Sequence, residues 1–474
     1  MLNPAVSPSD SAATTGRHPA GREDRPATFQ TTWTVFWVAF AVRVVYMTLA
    51  HTYRIRPGED HFQFGWEMGR IARALVTGYG YADPFSGHTG PTTWVAPLYP
   101  LLLAGIFKVF GVYTLGSAWV ILTINSFFSA LTTLTTYEIA ARCYGRRVAV
   151  WSAWIWALYP AAMQYSVRWI WEMTFSTWLL SCVVVVALRM RGIGEVGAEA
   201  NDGSGDVCGP AENSETPIAE TRTLQRWLLF GFLWALIALS NPSLLLFLPA
   251  AGIWAMLGMP RNRRRLRRQF AYASASALLF LLCISPWIVR NAIVFHRFIP
   301  MRANFGAEFY MGNGPGARGF LMEYNHPFQS ARQLELYRSM GEVAYAQMRG
   351  RLAWEFVASD PWLFVRNTVK RIYFFWISVP HPANDAWYVE VGRVANFSFV
   401  SVAGLLGLAL ALRRAKPAAW LFAWAFLLLP LIYYFVTVHA RFRNPLEPLI
   451  AILGVYLFQS AEKRLTECDA DQYS

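Results

Sequence analysis

WVAPLYPLLLAGIFKVF, residues 94–110, is the stretch whose reading decides the fold. It is apolar enough to be counted as a bilayer crossing, and counting it as one would reverse the side of everything that follows. A crossing helix needs about 20 mostly apolar residues. Ten other stretches meet or approach that length: 31–50 (interrupted only by Arg43), 115–141, 148–166, 173–188, 227–239, 244–259, 270–289, 394–412, 418–438 and 446–458. Suppose 94–110 lies on or dips into the membrane surface and the N-terminus is cytoplasmic. The basic connections at Arg142, Arg146 and Arg147, at 261–268, and at Arg413, Arg414 and Lys416 then all face inward, with twelve basic residues between them. The short outer connections carry only Arg168, Arg441 and Arg443, as the positive-inside rule expects. Counting 94–110 as a crossing puts Arg146 and Arg147 outside. The expectation is therefore an all-α integral membrane protein, a bundle of about ten transmembrane helices with interfacial helices in two large external loops.

Composition agrees. Of 474 residues, 55% are hydrophobic, 16% aromatic and only 15% charged, too few charges to cover a water-soluble surface of that size. The net charge of +13 clusters between apolar runs, so it reads as a topology signal and not as a nucleic-acid footprint. The five cysteines, Cys143, Cys182, Cys208, Cys283 and Cys468, have no metal or redox spacing, and all fall in spans or on the cytoplasmic side. Residues 1–28 read as a disordered cytoplasmic N-terminus without a cleavable signal, 29–460 as the transmembrane domain, and 461–474 as a cytoplasmic tail. Within the domain, 51–114 and 291–393 are the external loops, and the polar 192–223 is a disordered cytoplasmic linker.

Two long external loops exceed what a plain helical bundle requires. The first opens with Glu59-Asp60, after which Phe64, Met68, Ile71 and Leu75 fall on one helical face and Gln63, Glu67 and Arg70 on another. That is an interfacial amphipathic helix with Asp60 at its start, where a carboxylate can serve as no more than an N-cap. Glu172, at the outer end of the fourth span, is either a functional acid or the partner of Arg168 four residues earlier. His439, Arg441 and Arg443, between the last two spans, suit an anionic phosphate, since guanidinium groups bind phosphate in a bidentate way. They suit lipid headgroups as well. The glycine-rich 310–316 matches neither a P-loop nor a dinucleotide fingerprint.

The ordered set Glu59-Asp60, Gly78-Tyr79-Gly80-Tyr81, Ala96-Pro97-Leu98-Tyr99-Pro100, Phe110-Gly111 and Ala440-Arg441-Phe442-Arg443-Asn444-Pro445 resembles the GT-C membrane glycosyltransferases. The branch is that of the protein O-mannosyltransferases and lipid A aminoarabinose transferases. The resemblance spans most of the chain and rests on the order of the motifs, none of which is diagnostic alone. It implies inverting transfer of a sugar from a polyprenyl-phosphate donor to a protein, glycolipid or glycan acceptor at the outer face. It implies Asp60 as general base, interchangeable on sequence grounds with Glu59, and Glu172 as a second acid, although some members carry Asp there. Arg441 and Arg443 would hold the leaving phosphate, beside His439. Tyr81, Tyr99 and Arg168 complete the candidate set as substrate-binding residues. No DxD accompanies Asp60, so no obligatory cofactor or metal is expected, and a divalent cation is left open.

Two rivals from other classes stand beside this reading. A transporter of lipid-linked sugars should show paired broken helices with midplane polar groups, whereas the sequence offers one break, Asn241-Pro242, and charge mostly at the outer interface. A non-catalytic carrier-binding protein would survive loss of Asp60.

Overall fold

The structure, a computed structural model, describes residues 31–55, 64–194, 217–257, 263–320, 325–379 and 387–472. Among these residues there are helices and no strands, the one β-bridge joining Ala82 to Pro91. In chain order the α-helices are α1 Thr32–Leu49, α2 Glu67–Val76, α3 Leu98–Phe110, α4 Leu115–Tyr144, α5 Arg146–Leu158, α6 Pro160–Val167, α7 Met173–Met190, α8 Pro217–Ala238 and α9 Leu248–Leu257. They continue as α10 Arg263–Phe295, α11 Phe305–Asn313, α12 Ala331–Met340, α13 Glu342–Ser359, α14 Pro361–Ile377, α15 Trp387–Arg413, α16 Ala419–Leu428, α17 Leu431–Phe435 and α18 Glu447–Gln472. Five of them, α1, α4, α7, α10 and α15, are long and apolar enough to cross a membrane.

All ten apolar stretches fall on helices, but three are broken, each at a proline. The third is split into α5 and α6 at Pro160, the sixth begins as a 3₁₀ turn, Pro242–Phe247, before α9, and the ninth is split into α16 and α17 at Pro430. A proline has no N–H for the carbonyl four residues back. Pro160 thus leaves the Trp156 carbonyl without its helical donor, and Arg43 of α1 supplies one. The guanidinium, fully buried, donates to Trp156 O at 3.2 Å, Ala157 O at 2.7 Å, Ala39 O at 3.0 Å and Ser129 Oγ at 3.1 Å. The one charge in the first span is a structural clasp.

Residues 94–110 contribute α3, whose 13 residues span roughly 20 Å against a hydrocarbon core of roughly 30 Å. Pro97 and Pro100 sit at its start, where backbone N–H groups have no helical acceptor anyway. The helix packs through Tyr99, Leu103 and Phe107 on Phe64 and Ala72 of the α2 segment and on Ile121 and Leu122 of α4. Its first N–H, on Leu98, donates to Leu239 O at the end of α8 at 2.8 Å.

The α2 helix differs from its expected form. It starts at Glu67, with Trp66 as N-cap at φ 53°, so Asp60 is not its cap. Nor is its polar face open to water. Ile71 and Arg70 are both buried, because loop residues from the second half of the chain cover the side that the first half leaves bare. The largest apolar core lies between α4, α5, α7, α8, α9, α15, α16 and α18. There α15 and α18 approach backbone to backbone: a Cβ on Gly407 would stand 2.1 Å from Leu453 O.

Candidate functional site

At one end of the bundle the two loop segments and several helix ends enclose a cavity of about 620 Å³. Its walls come from α2 and the turn before it (Trp66, Glu67, Met68), the start of α7 (Trp171, Glu172, Met173), the 3₁₀ turn at Pro242, and α17 (Ile432, Tyr433). The long loop adds Arg302, Asn304, Glu308, His326 and Gln329, and the connection before α18 adds His439, Arg441 and Phe442. Two of the three proline breaks thus supply its walls. At such breaks helical backbone ends at depth, which side chains can then exploit.

Arg441 lies over the Trp171 ring at 4.0 Å, and Trp171 is stacked on Trp169 with centroids 5.0 Å apart. Stacking on a ring face fixes the plane of the guanidinium and leaves its N–H edge to point at a ligand. Its loop is shaped by His439, whose Nδ1 accepts from the Arg441 N–H at 3.2 Å, and by Tyr433 stacked on Phe442 at 4.2 Å. Among the described residues Arg441 makes no ion pair. Arg302 is the second cation of the cavity. It donates through Nε to Trp94 O at 2.7 Å and lies 3.8 Å from Glu308, which also accepts from Asn304 Nδ2 at 3.0 Å.

The cavity also holds carboxylates. Glu172 sits in the break between α6 and α7 and is 8% exposed. Glu67, in the first turn of α2, is 3.3 Å from His326 Nε2. His326 Nδ1 accepts the Phe328 N–H at 3.1 Å, so the neutral ring carries its proton on Nε2, the nitrogen nearer Glu67. Burial pushes the imidazole down to about 4, and burial also raises the Glu67 carboxyl, against the pull of Arg441, Arg70 and Arg302. Among the described residues, no three His, Cys, Asp or Glu side chains come together to hold a metal ion.

The structure sorts the sequence candidates. Glu172, His439 and Arg441 line the cavity together. Glu59 and Asp60 lie outside the described residues. Their flanks, Ile55 and Phe64, both pack with Val167 and Ile170, just before Glu172. Arg443, expected beside Arg441 on a phosphate, is instead fully buried and bound to Glu447 at 2.5 Å and to Ser401 Oγ. The reason is the 3₁₀ geometry of Ala440–Leu446, which turns it away from Arg441's side and toward α15. Arg168 is exposed at the end of α6 and makes no ion pair with Glu172, since no helix runs between them. Tyr99 donates to Asn125 Oδ1 at 3.1 Å inside the α3–α4 packing, and Tyr81 donates to Val95 O at 3.0 Å beneath Arg290. Neither tyrosine lines the cavity. Glu67, Arg302, Glu308 and His326 were not singled out by sequence. Glu67 carried only a helix-face signal, and the other three come from a loop without a motif.

No family model matches the chain. Over 122 residues it is 30% identical to mannosyltransferase APTG1 of Arabidopsis thaliana, a match covering 25% of this chain and 20% of that protein. An oligosaccharyltransferase of Archaeoglobus fulgidus overlays 91% of this chain at 12% identity and TM-score 0.48, and the chain spans about half (49%) of its length. ArnT of Cupriavidus metallidurans, solved bound to undecaprenyl phosphate, overlays 90% of this chain and 77% of its own at 13% identity and TM-score 0.38.

Proposed function

We propose that the protein is a glycosyltransferase that moves a sugar from a polyprenyl-phosphate donor to an acceptor hydroxyl at the outer face of the membrane, with inversion. The observation that carries this reading is the gathering inside one cavity of two guanidiniums, Arg441 and Arg302, with the carboxylates Glu67, Glu172 and Glu308. Transfer needs a base for the attacking hydroxyl and fixed positive charge where the phosphate leaves. The cavity holds both kinds of group. The acceptor oxygen bonds to the anomeric carbon, the bond from that carbon to the phosphate oxygen breaks, and the hydroxyl proton passes to a carboxylate. Polyprenyl phosphate departs as the anion, held by Arg441 and Arg302.

Asp60 is the proposed base, with Glu59 as its alternate. This choice rests on the resemblance, in which the acidic pair after the first span supplies the base. The 30% match to a mannosyltransferase supports a hexosyl donor. No divalent cation is required in this scheme, so chelation by EDTA should leave turnover intact. The test is turnover of a labelled polyprenyl-phosphate hexose by purified protein. Asp60→Asn keeps the side-chain shape and removes the base. Retained donor binding with turnover lowered about 10²-fold or more supports the assignment, and unchanged turnover removes Asp60 from it. Donor binding without turnover in the wild type, across several acceptors, points to a carrier-binding or transport protein.

A further inference from the structure

Away from the cavity, behind Trp94, lies a carboxylate that the transfer scheme does not use. Glu342, in the first turn of α13, is 3% exposed. Its Oε1 accepts from Thr93 N and Thr93 Oγ1, both at 2.7 Å, and its Oε2 accepts from Tyr337 OH at 2.9 Å and from Thr92 Oγ1. Each oxygen therefore has two donors, which fills a carboxylate's acceptor sites. No cation pairs with it among the described residues. A buried acid held only by neutral donors is a poor source of stability, whereas a fully satisfied network is a good way to fix atoms in place.

The atoms it fixes lead to the cavity. The Thr92 hydroxyl accepts from Trp94 N at 2.9 Å, the Thr93 hydroxyl from Ala303 N at 3.2 Å, and Trp94 O accepts Arg302 Nε at 2.7 Å. One carboxylate thus gathers Thr92 to Trp94 of the first loop and Arg302 to Ala303 of the second. Trp94 is a cavity wall and Arg302 a cavity cation. We propose that Glu342 is a positioning residue that sets the Arg302 guanidinium against the carrier's phosphate by way of Thr92, Thr93 and the Trp94 carbonyl. This rests on the reading of Arg302 given under Proposed function.

The test is the affinity of full-length protein in detergent for undecaprenyl phosphate, read as a dissociation constant and combined in double-mutant cycles. Arg302→Ala and Glu342→Ala should each weaken binding, by about tenfold, and the double variant should be no weaker than Arg302→Ala alone. With Arg441→Ala, which stands on a different element, the loss from Glu342→Ala should instead multiply. Glu342→Gln should return affinity to near wild type. Its amide oxygen still accepts from Thr93, and the hydroxyls of Tyr337 and Thr92 can turn to accept from its NH₂ group. Should Glu342→Ala fail to fold, Thr93→Val, which removes the hydroxyl shared by Glu342 and Ala303, takes its place with the same expected pattern. Wild-type affinity in a folded Glu342→Ala or Thr93→Val protein, or losses that multiply with Arg302→Ala, would overturn the positioning role. An unchanged affinity in Arg302→Ala overturns the assignment of Arg302 to the phosphate itself, and the positioning role with it.

Discussion

Arg441 and Arg443 are two residues apart in sequence and have opposite situations. Arg441 is laid across Trp171 with its edge toward the cavity. Arg443 is sealed against Glu447. Arg441→Ala should therefore leave thermal stability nearly unchanged and weaken phosphate binding by about 1.5–3 kcal/mol, the worth of a hydrogen bond to a charged group. Arg443→Met should do the reverse, costing about 3–5 kcal/mol of stability because Glu447 is left buried and alone. Unfolding curves and binding isotherms on the two variants separate these outcomes. His326 gives a pH signature. Its folded pKa of about 4 lies below the ordinary imidazole value of 6.5, so its contribution to stability is full above 6.5 and is lost as pH falls toward 4. Glu67, raised by burial, acts in the opposite sense: its contribution is present at low pH and declines as pH rises through its folded value. Between pH 6.5 and 4 the melting temperature of the wild type should thus fall more steeply than that of His326→Gln, in which this site does not titrate. Parallel profiles would show that the imidazole is not held neutral. Glu172, His439 and Arg441 were legible from sequence because a charge beside a long apolar run stands out. Glu67 and His326 were not, since their pairing joins positions in different loops that no periodicity relates.

Helices were the most legible level, because the bilayer demands long apolar runs and, among the described residues, each such run falls on one helix or on the pieces of a broken one. What sequence did not disclose is how the runs are broken and joined. Pro160 lies inside a stretch that reads as one span, and Arg43 reads as an isolated intramembrane charge, until the two are seen to be a single device. Removing Arg43 should leave the Trp156 and Ala157 carbonyls without that donor, at a cost of about 1–3 kcal/mol. With Pro160→Ala the helix can supply its own N–H, so the loss from Arg43→Met should shrink in that background. Equal losses in both backgrounds, measured by thermal unfolding, would separate the two residues again. The α15–α18 contact makes a second demand. Gly407→Ala places a methyl group against Leu453 O, and overpacking of that kind costs about 1–3 kcal/mol.

Across the whole molecule, the cavity gathers both long loops and two proline breaks at one end, while the basic connections at Arg142, Arg146, Arg147, Arg413 and Arg414 join helices whose other ends lead toward it. Under the proposed topology, in which the positive-inside rule puts the cavity at the outer face, two cysteine probes give opposite outcomes. In a background with all five native cysteines replaced by serine, a cysteine at exposed Ser339 should react with an impermeant maleimide in intact cells. One at exposed Arg414 should react only after the membrane is opened. The reverse pattern would place the site in the cytoplasm. An electron cryomicroscopy map of the protein with undecaprenyl phosphate decides whether the cavity holds the phosphate of a polyprenyl carrier. Phosphate density is expected between the Arg441 and Arg302 guanidiniums, with the polyprenyl chain leaving toward lipid. Density for the phosphate at the basic connections of the opposite end, with the cavity empty, would contradict it.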